Sequence, residues 1–132
     1  MSRKIAREEL FKILFEAELN EASIAEVTER VISNDEVELS ENSVEFIEKY
    51  AKGIVEKEQE IKDTLNSEMT NWSLERIGNV ERALLKFGTY ELMFEDMGHE
   101  IVVNEIVELA KKYGDEKSHE FINGVLAKVI KK

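Results

Sequence analysis

Few side chains in this chain could do covalent chemistry. His99 and His119 are its only imidazoles, and cysteine is absent. Thiolate nucleophiles, disulfides and sulfur-bound zinc are therefore excluded. Both histidines fall at expected helix starts among charged neighbours, which reads as solvent exposure and not as general-base chemistry. A carboxylate-bridged metal site in a helical bundle needs two Glu-x-x-His pairs on facing helices. Glu116 and His119 have that spacing and Glu105 with Glu108 repeats it, but Asp96 and His99 straddle Gly98. With 29 acidic residues such spacings arise by chance, and capping and surface charge account for them. The six glycines are isolated, so no glycine-rich phosphate loop exists. No catalytic residue, metal or cofactor is expected.

The first helix offers another chemistry. At 100° per residue, Lys4, Arg7, Phe11 and Phe15 form one stripe, with Arg3 beside it. Cations interleaved with rings suit single-stranded RNA, the cations meeting phosphates and the rings stacking on splayed bases. The same spacing also suits plain core packing, which is the reading for Phe11, with Phe15 at the edge. Charge is segregated in the same sense. Residues 1–12 carry net +2 and residues 123–132 net +3, while residues 13–122 carry −16, giving −11 overall. The total opposes a general polyanion binder. It leaves room for a small basic stripe on an acidic body. Lys128, Lys131 and Lys132 also complement a helix C-terminus.

These groups must be positioned by helices. The 132 residues suffice for one domain with its own core, residues 1–132. Proline is absent, where ordinary usage gives roughly six or seven, which favours uninterrupted helices. Apolar residues recur every three or four positions, and alternating strand patterns are missing. About seven helices are expected. The first covers residues 3–19, with Ala6, Leu10, Ile13, Leu14 and Ala17 inward, and the second residues 24–32. A long third helix, capped by Asn42 with Glu45, carries its stripe from Val44 to Ile61. A short fourth runs from Trp72 to Gly78, and Asn79 caps a fifth that ends before Gly98. A sixth covers residues 101–113, with Gly114 as a left-handed cap, and Asp115 caps the seventh. Gly124, inside that last helix, is expected at a close helix crossing. Trp72 and Arg76 stand four apart, so the guanidinium either lies across the indole or pairs with a carboxylate. No apolar run approaches the roughly 20 residues of a membrane span, and a cytoplasmic protein is expected.

Two stretches are more specific. Trp72-Ser-Leu-Glu-Arg76-Ile-Gly-Asn-Val-Glu81-Arg82-Ala-Leu-Leu-Lys86-Phe-Gly-Thr-Tyr90-Glu91-Leu92 resembles the signature of the bacterial NusB antitermination family. So does Val103-Asn104-Glu105-Ile-Val-Glu108-Leu-Ala-Lys111-Lys-Tyr113-Gly114, followed by Ser118-His119-Glu-Phe121-Ile-Asn123-Gly124-Val-Leu126. The resemblance implies an all-α fold of two packed helical subdomains. It implies a non-catalytic factor in rRNA transcription that binds boxA RNA jointly with ribosomal protein S10 (NusE), in a complex with RNA polymerase and other Nus factors. By position it assigns Arg3, Lys4, Arg7 and Phe15 to RNA. Glu81, Lys117 and Ser118 fall where family members meet RNA or its NusE boundary, and Tyr113 and Phe121 at the NusE surface.

There are departures from the family pattern. The basic N-terminal run is thin, Phe15 stands for a frequent tyrosine, Lys117 for a small or acidic residue, and Gly98-His99 for a proline-containing turn. Two other readings compete. One is a homodimeric interaction module without an RNA role. The other is the accessory domain of an RNA cytosine methyltransferase, which would need a nucleophilic cysteine that this chain lacks.

Overall fold

The computed structural model describes residues 3–34, 36, 38–69 and 71–131, with Arg3 described by its backbone alone. The described residues form seven α-helices and one 3-10 turn, with no strand among them. The helices are α1 (Arg3–Asn20), α2 (Ile24–Ile32), α3 (Glu41–Glu56), α4 (Glu58–Glu68), α5 (Asn79–Phe94), α6 (His99–Tyr113) and α7 (Ser118–Ile130); the 3-10 turn is Leu74–Arg76. The chain divides into two compact units, residues 1–56 and 57–132.

In the first unit α1, α2 and α3 pack on one another around Leu10, Ile13, Leu14, Val27, Ile47 and Ile54. Helix α1 ends at Glu21, which adopts a left-handed backbone at φ 52°. The amide of Ala22 then reaches back to the carbonyl of Ala17 at 3.0 Å, closing a Schellman-type end. Ser23 caps α2 by accepting from the Glu26 amide at 3.3 Å. Ser40 does the same for α3, accepting from the Ser43 amide at 3.1 Å, so the expected cap at Asn42 is displaced by two residues.

The expected long third helix is two helices that meet at Lys57. Ile54 and Ile61 are both fully buried and lie seven residues apart, so the apolar period runs across the break without registering it. The expected fourth helix shrinks to the 3-10 turn.

In the second unit α5 is the central element. It packs against α4, α6 and α7, and residues Ala83 to Glu91 are all buried. The close crossing lies at Gly88 on α5, where an added Cβ would stand 3.1 Å from Leu126 and 3.3 Å from Ile106. Gly124 faces open space instead, contrary to expectation. The Tyr90 hydroxyl donates to Glu95 Oε2 at 2.6 Å, and Glu91 is buried, so this pair serves the core edge.

Candidate nucleic-acid interface

On α1 the expected stripe separates into two kinds of residue. Lys4 is exposed and Phe15 half-buried, at the edge of the core. Phe11 is buried and stacks on Phe15, with ring centroids 6.0 Å apart. Arg7 is a correction. Expected among the RNA contacts, its side chain is 2% exposed and engaged with other protein groups. Its neighbours at Ala6, Leu10, Phe11 and Leu14 are all buried, and the inward arc of α1 is wide enough to take in position 7 as well. A guanidinium at that depth presents nothing to a phosphate. Arg3 lies outside the described side chains.

In the second unit the start of α5, the 3-10 turn and the start of α7 enclose an open depression of about 420 Å³. Its wall includes Trp72, Arg76, Glu81, Lys117, Ser118 and Phe121. Local sequence builds each part. The 3-10 turn is fastened at its front by the Asn66 side chain, whose Oδ1 accepts from the Leu74 amide at 3.0 Å. From behind, Arg82 Nη1 donates to the carbonyls of Leu74 and Ile77, both at 3.0 Å, and its Nη2 donates to Asn79 Oδ1. One planar fork thus satisfies carbonyls that no helix serves.

The start of α7 is held by a reciprocal cap. Asp115 Oδ1 accepts from the amides of Lys117 (2.9 Å) and Ser118 (3.0 Å), while Ser118 Oγ accepts from the Asp115 amide at 3.0 Å. The amide of Lys117 is the largest influence holding the Asp115 carboxyl below the ordinary aspartate range. Asp115 therefore caps the seventh helix as its sequence position implies. The Ser118 hydroxyl also donates to the Glu81 carboxylate, linking the first turns of α5 and α7. At 3% exposure Ser118 is a support for Glu81; expected as an RNA contact, its hydroxyl is committed within the protein. Gly114 is required here for space. Its backbone is extended (φ −94°, ψ −174°) and not left-handed, and an added Cβ would stand 2.6 Å from Ser118 and 2.8 Å from the Ala110 carbonyl.

The depression gathers four of the expected residues, Glu81, Lys117, Ser118 and Phe121. Tyr113 does not line it; that ring is half-buried, with Lys112 Nζ 5.5 Å from its centroid. Sequence reasoning did not assign Trp72 and Arg76 to it. Trp72 is 56% exposed and meets Phe121 edge-on, with centroids 6.5 Å apart and planes at 72°. Among the described residues the Arg76 guanidinium neither lies over the indole nor forms an ion pair, because a 3-10 turn lacks the α-helical i, i+4 geometry that would pair them. The available signal was a lone tryptophan in a helix too short to bury it.

Comparison with known proteins agrees with this architecture. The NusB family model matches residues 4–131. The transcription antitermination protein NusB of Fusobacterium nucleatum is 43% identical over 97% of this chain and 88% of its own length. Its Clostridium botulinum counterpart is 36% identical over 98% and 100%. Thermotoga maritima NusB superposes with a TM-score of 0.91 at 33% identity, covering 100% of this chain and 92% of that one. A crystal structure of antitermination factors NusB and NusE in complex with dsRNA contains a chain that superposes at 0.86 and 32% identity, over 98% and 96% of the two chains. With the matched span running from the first turn of α1 past the end of α7, the chain belongs to the NusB family.

Proposed function

We propose that this chain is a transcription antitermination factor that binds boxA RNA cooperatively with ribosomal protein S10 (NusE) and so supports rRNA transcription by RNA polymerase. The observation that carries this reading is its likeness, across nearly the whole chain, to the NusB chain of an assembly that also holds NusE and RNA. The charge distribution supports it. A body of net −16 between basic ends favours encounter with a basic protein partner and leaves RNA contact to a few local cations. No reaction is catalysed on this reading, and the protein works beside RNA polymerase in the cytoplasm. None of the described helices is long and apolar enough to cross a membrane.

Within the reading, Lys4 and Phe15 on α1 and Lys117 beside α7 are the RNA-facing candidates. Glu81 holds the boundary between RNA and NusE, and Tyr113 and Phe121 serve NusE. Arg7 and Ser118 act from within, Arg7 in the core of its unit and Ser118 as the support of Glu81. A paired titration of boxA RNA with and without saturating NusE, read by gel shift, tests the cooperative part. Affinity should rise in the presence of NusE. Equal affinity in both arms would sink it.

A further inference from the structure

We propose that Trp72 is a stacking platform for a base of single-stranded RNA, with Arg76 and Lys117 meeting the flanking phosphates. The inference rests on the RNA-binding reading above and adds to it a binding element carried by the turn before α5. Three observations support it. The first is exposure. An indole is among the largest apolar groups a protein can bury, yet Trp72 is 56% exposed, with Phe121 against it only edge-on. A single aromatic left open beside cations is the arrangement that sequence-tolerant single-strand recognition uses.

The second observation is the state of the acids around it. The Glu81 carboxylate accepts from the Ser118 hydroxyl, and Asp115 accepts from the amides of Lys117 and Ser118. Both are spent on helix starts. Arg76 forms no ion pair among the described residues, and Lys117 is exposed. The wall therefore keeps two cations outward and, among the described residues, without ion pairs, while its two carboxylates are engaged by donors at the start of α7. The third is room. A depression of about 420 Å³ lies within the range of clefts that hold small ligands, about 300–1,000 Å³. It is also held in shape: the fork of Arg82 fastens the segment that carries Trp72 and Arg76.

Trp72 is the only tryptophan, so full-length protein grown with 5-fluorotryptophan gives one fluorine resonance that reports on this ring alone. NusE is added first, then an unpaired RNA dodecamer carrying boxA, with fluorescein on the RNA reporting binding by anisotropy. The resonance should move when RNA is added and not with NusE alone. W72A should weaken RNA binding to the NusE-bound protein by about five- to hundred-fold, and W72F should stay within about threefold of the parent. Affinity for NusE should be unchanged in both variants.

A resonance that shifts fully with NusE alone would make the ring a protein contact and overturn the proposal. RNA binding by anisotropy with a static resonance would overturn the stacking role and leave the RNA-binding reading standing. Equal losses in W72A and W72F would also count against stacking, since the phenyl ring preserves a face to stack on. Absence of RNA binding under every condition would remove both the reading and the inference.

Discussion

The two places where cations are candidates for ligand contact are built differently. On α1 the cations ride a helix face, and one position of rotation decides whether a side chain meets water or core: Lys4 is exposed, while Arg7, three residues on, is buried. In the depression of the second unit Arg76 and Lys117 sit at a turn and ahead of a helix, outside any periodic face, and both are exposed. A helical stripe can therefore be absorbed by its own core when the buried arc widens. Cations placed by turns and caps are fixed by hydrogen bonds whose donors and acceptors are themselves specified.

The largest test of this contrast is Arg7→Ala. It removes a buried side chain, and its partners lose their match, so stability should fall by about 2–4 kcal/mol in urea unfolding. The salt dependence of RNA binding should not change. Lys4→Ala should do the reverse, leaving the urea midpoint in place and reducing the salt slope by about 0.7 for single-stranded RNA. An Arg7 variant of unchanged stability with a lowered slope would place the guanidinium on the surface and erase the contrast.

Gly114→Ala strikes the other region. The new methyl would press on Ser118 and on the Ala110 carbonyl, with a cost of about 1–3 kcal/mol. It should also loosen the link from Ser118 to Glu81, which faster amide exchange at residues 117 and 118 would register. An unchanged melting temperature and exchange pattern would mean that the start of α7 yields without cost.

A gain of stability is expected from Glu21→Gly. A non-glycine residue in the left-handed region costs roughly 1–2 kcal/mol, so glycine at φ 52° should recover about 1 kcal/mol. Loss of stability instead would show that the Glu21 side chain holds the end of α1 by contacts that outweigh its backbone.

The smallest effect concerns pH. The Asp115 carboxyl is held below its usual range by the amide of Lys117, so the folded state favours the ionised form. Its contribution is complete above the ordinary aspartate range and disappears as pH falls through the lowered folded value. Asp115→Asn should flatten that acid limb of the stability curve and leave its alkaline side unchanged. A parallel downward shift at all pH values would make the cap insensitive to charge.

How much of this was legible in the sequence follows the same division. Helix faces were readable wherever apolar residues recur every three or four positions, and the Asp115 cap was readable from its place before an apolar run. Periodicity could not see the break at Lys57, because Ile54 and Ile61 keep the phase on either side of it. Nor could it tell a short helix from a 3-10 turn around Trp72, since three residues carry no period. Gly88 and Gly124 look alike as helical glycines, and only the crossing of α5, α6 and α7 reveals which one needs its missing side chain. The depression depends on a hydrogen bond between residues 37 positions apart, Glu81 and Ser118, which no local pattern encodes.

Arg82 is assigned to no ligand, yet together with Asn66 it gives the segment that presents Trp72 its form. A substitution there would alter recognition at a distance while leaving every surface group chemically intact. Lysine would keep the charge but not the fork, and a single ammonium does not reproduce planar donation to carbonyls set apart along a turn. In a screen for binding defects position 82 would behave like a contact residue, and only its loss of stability would disclose that it belongs to the scaffold.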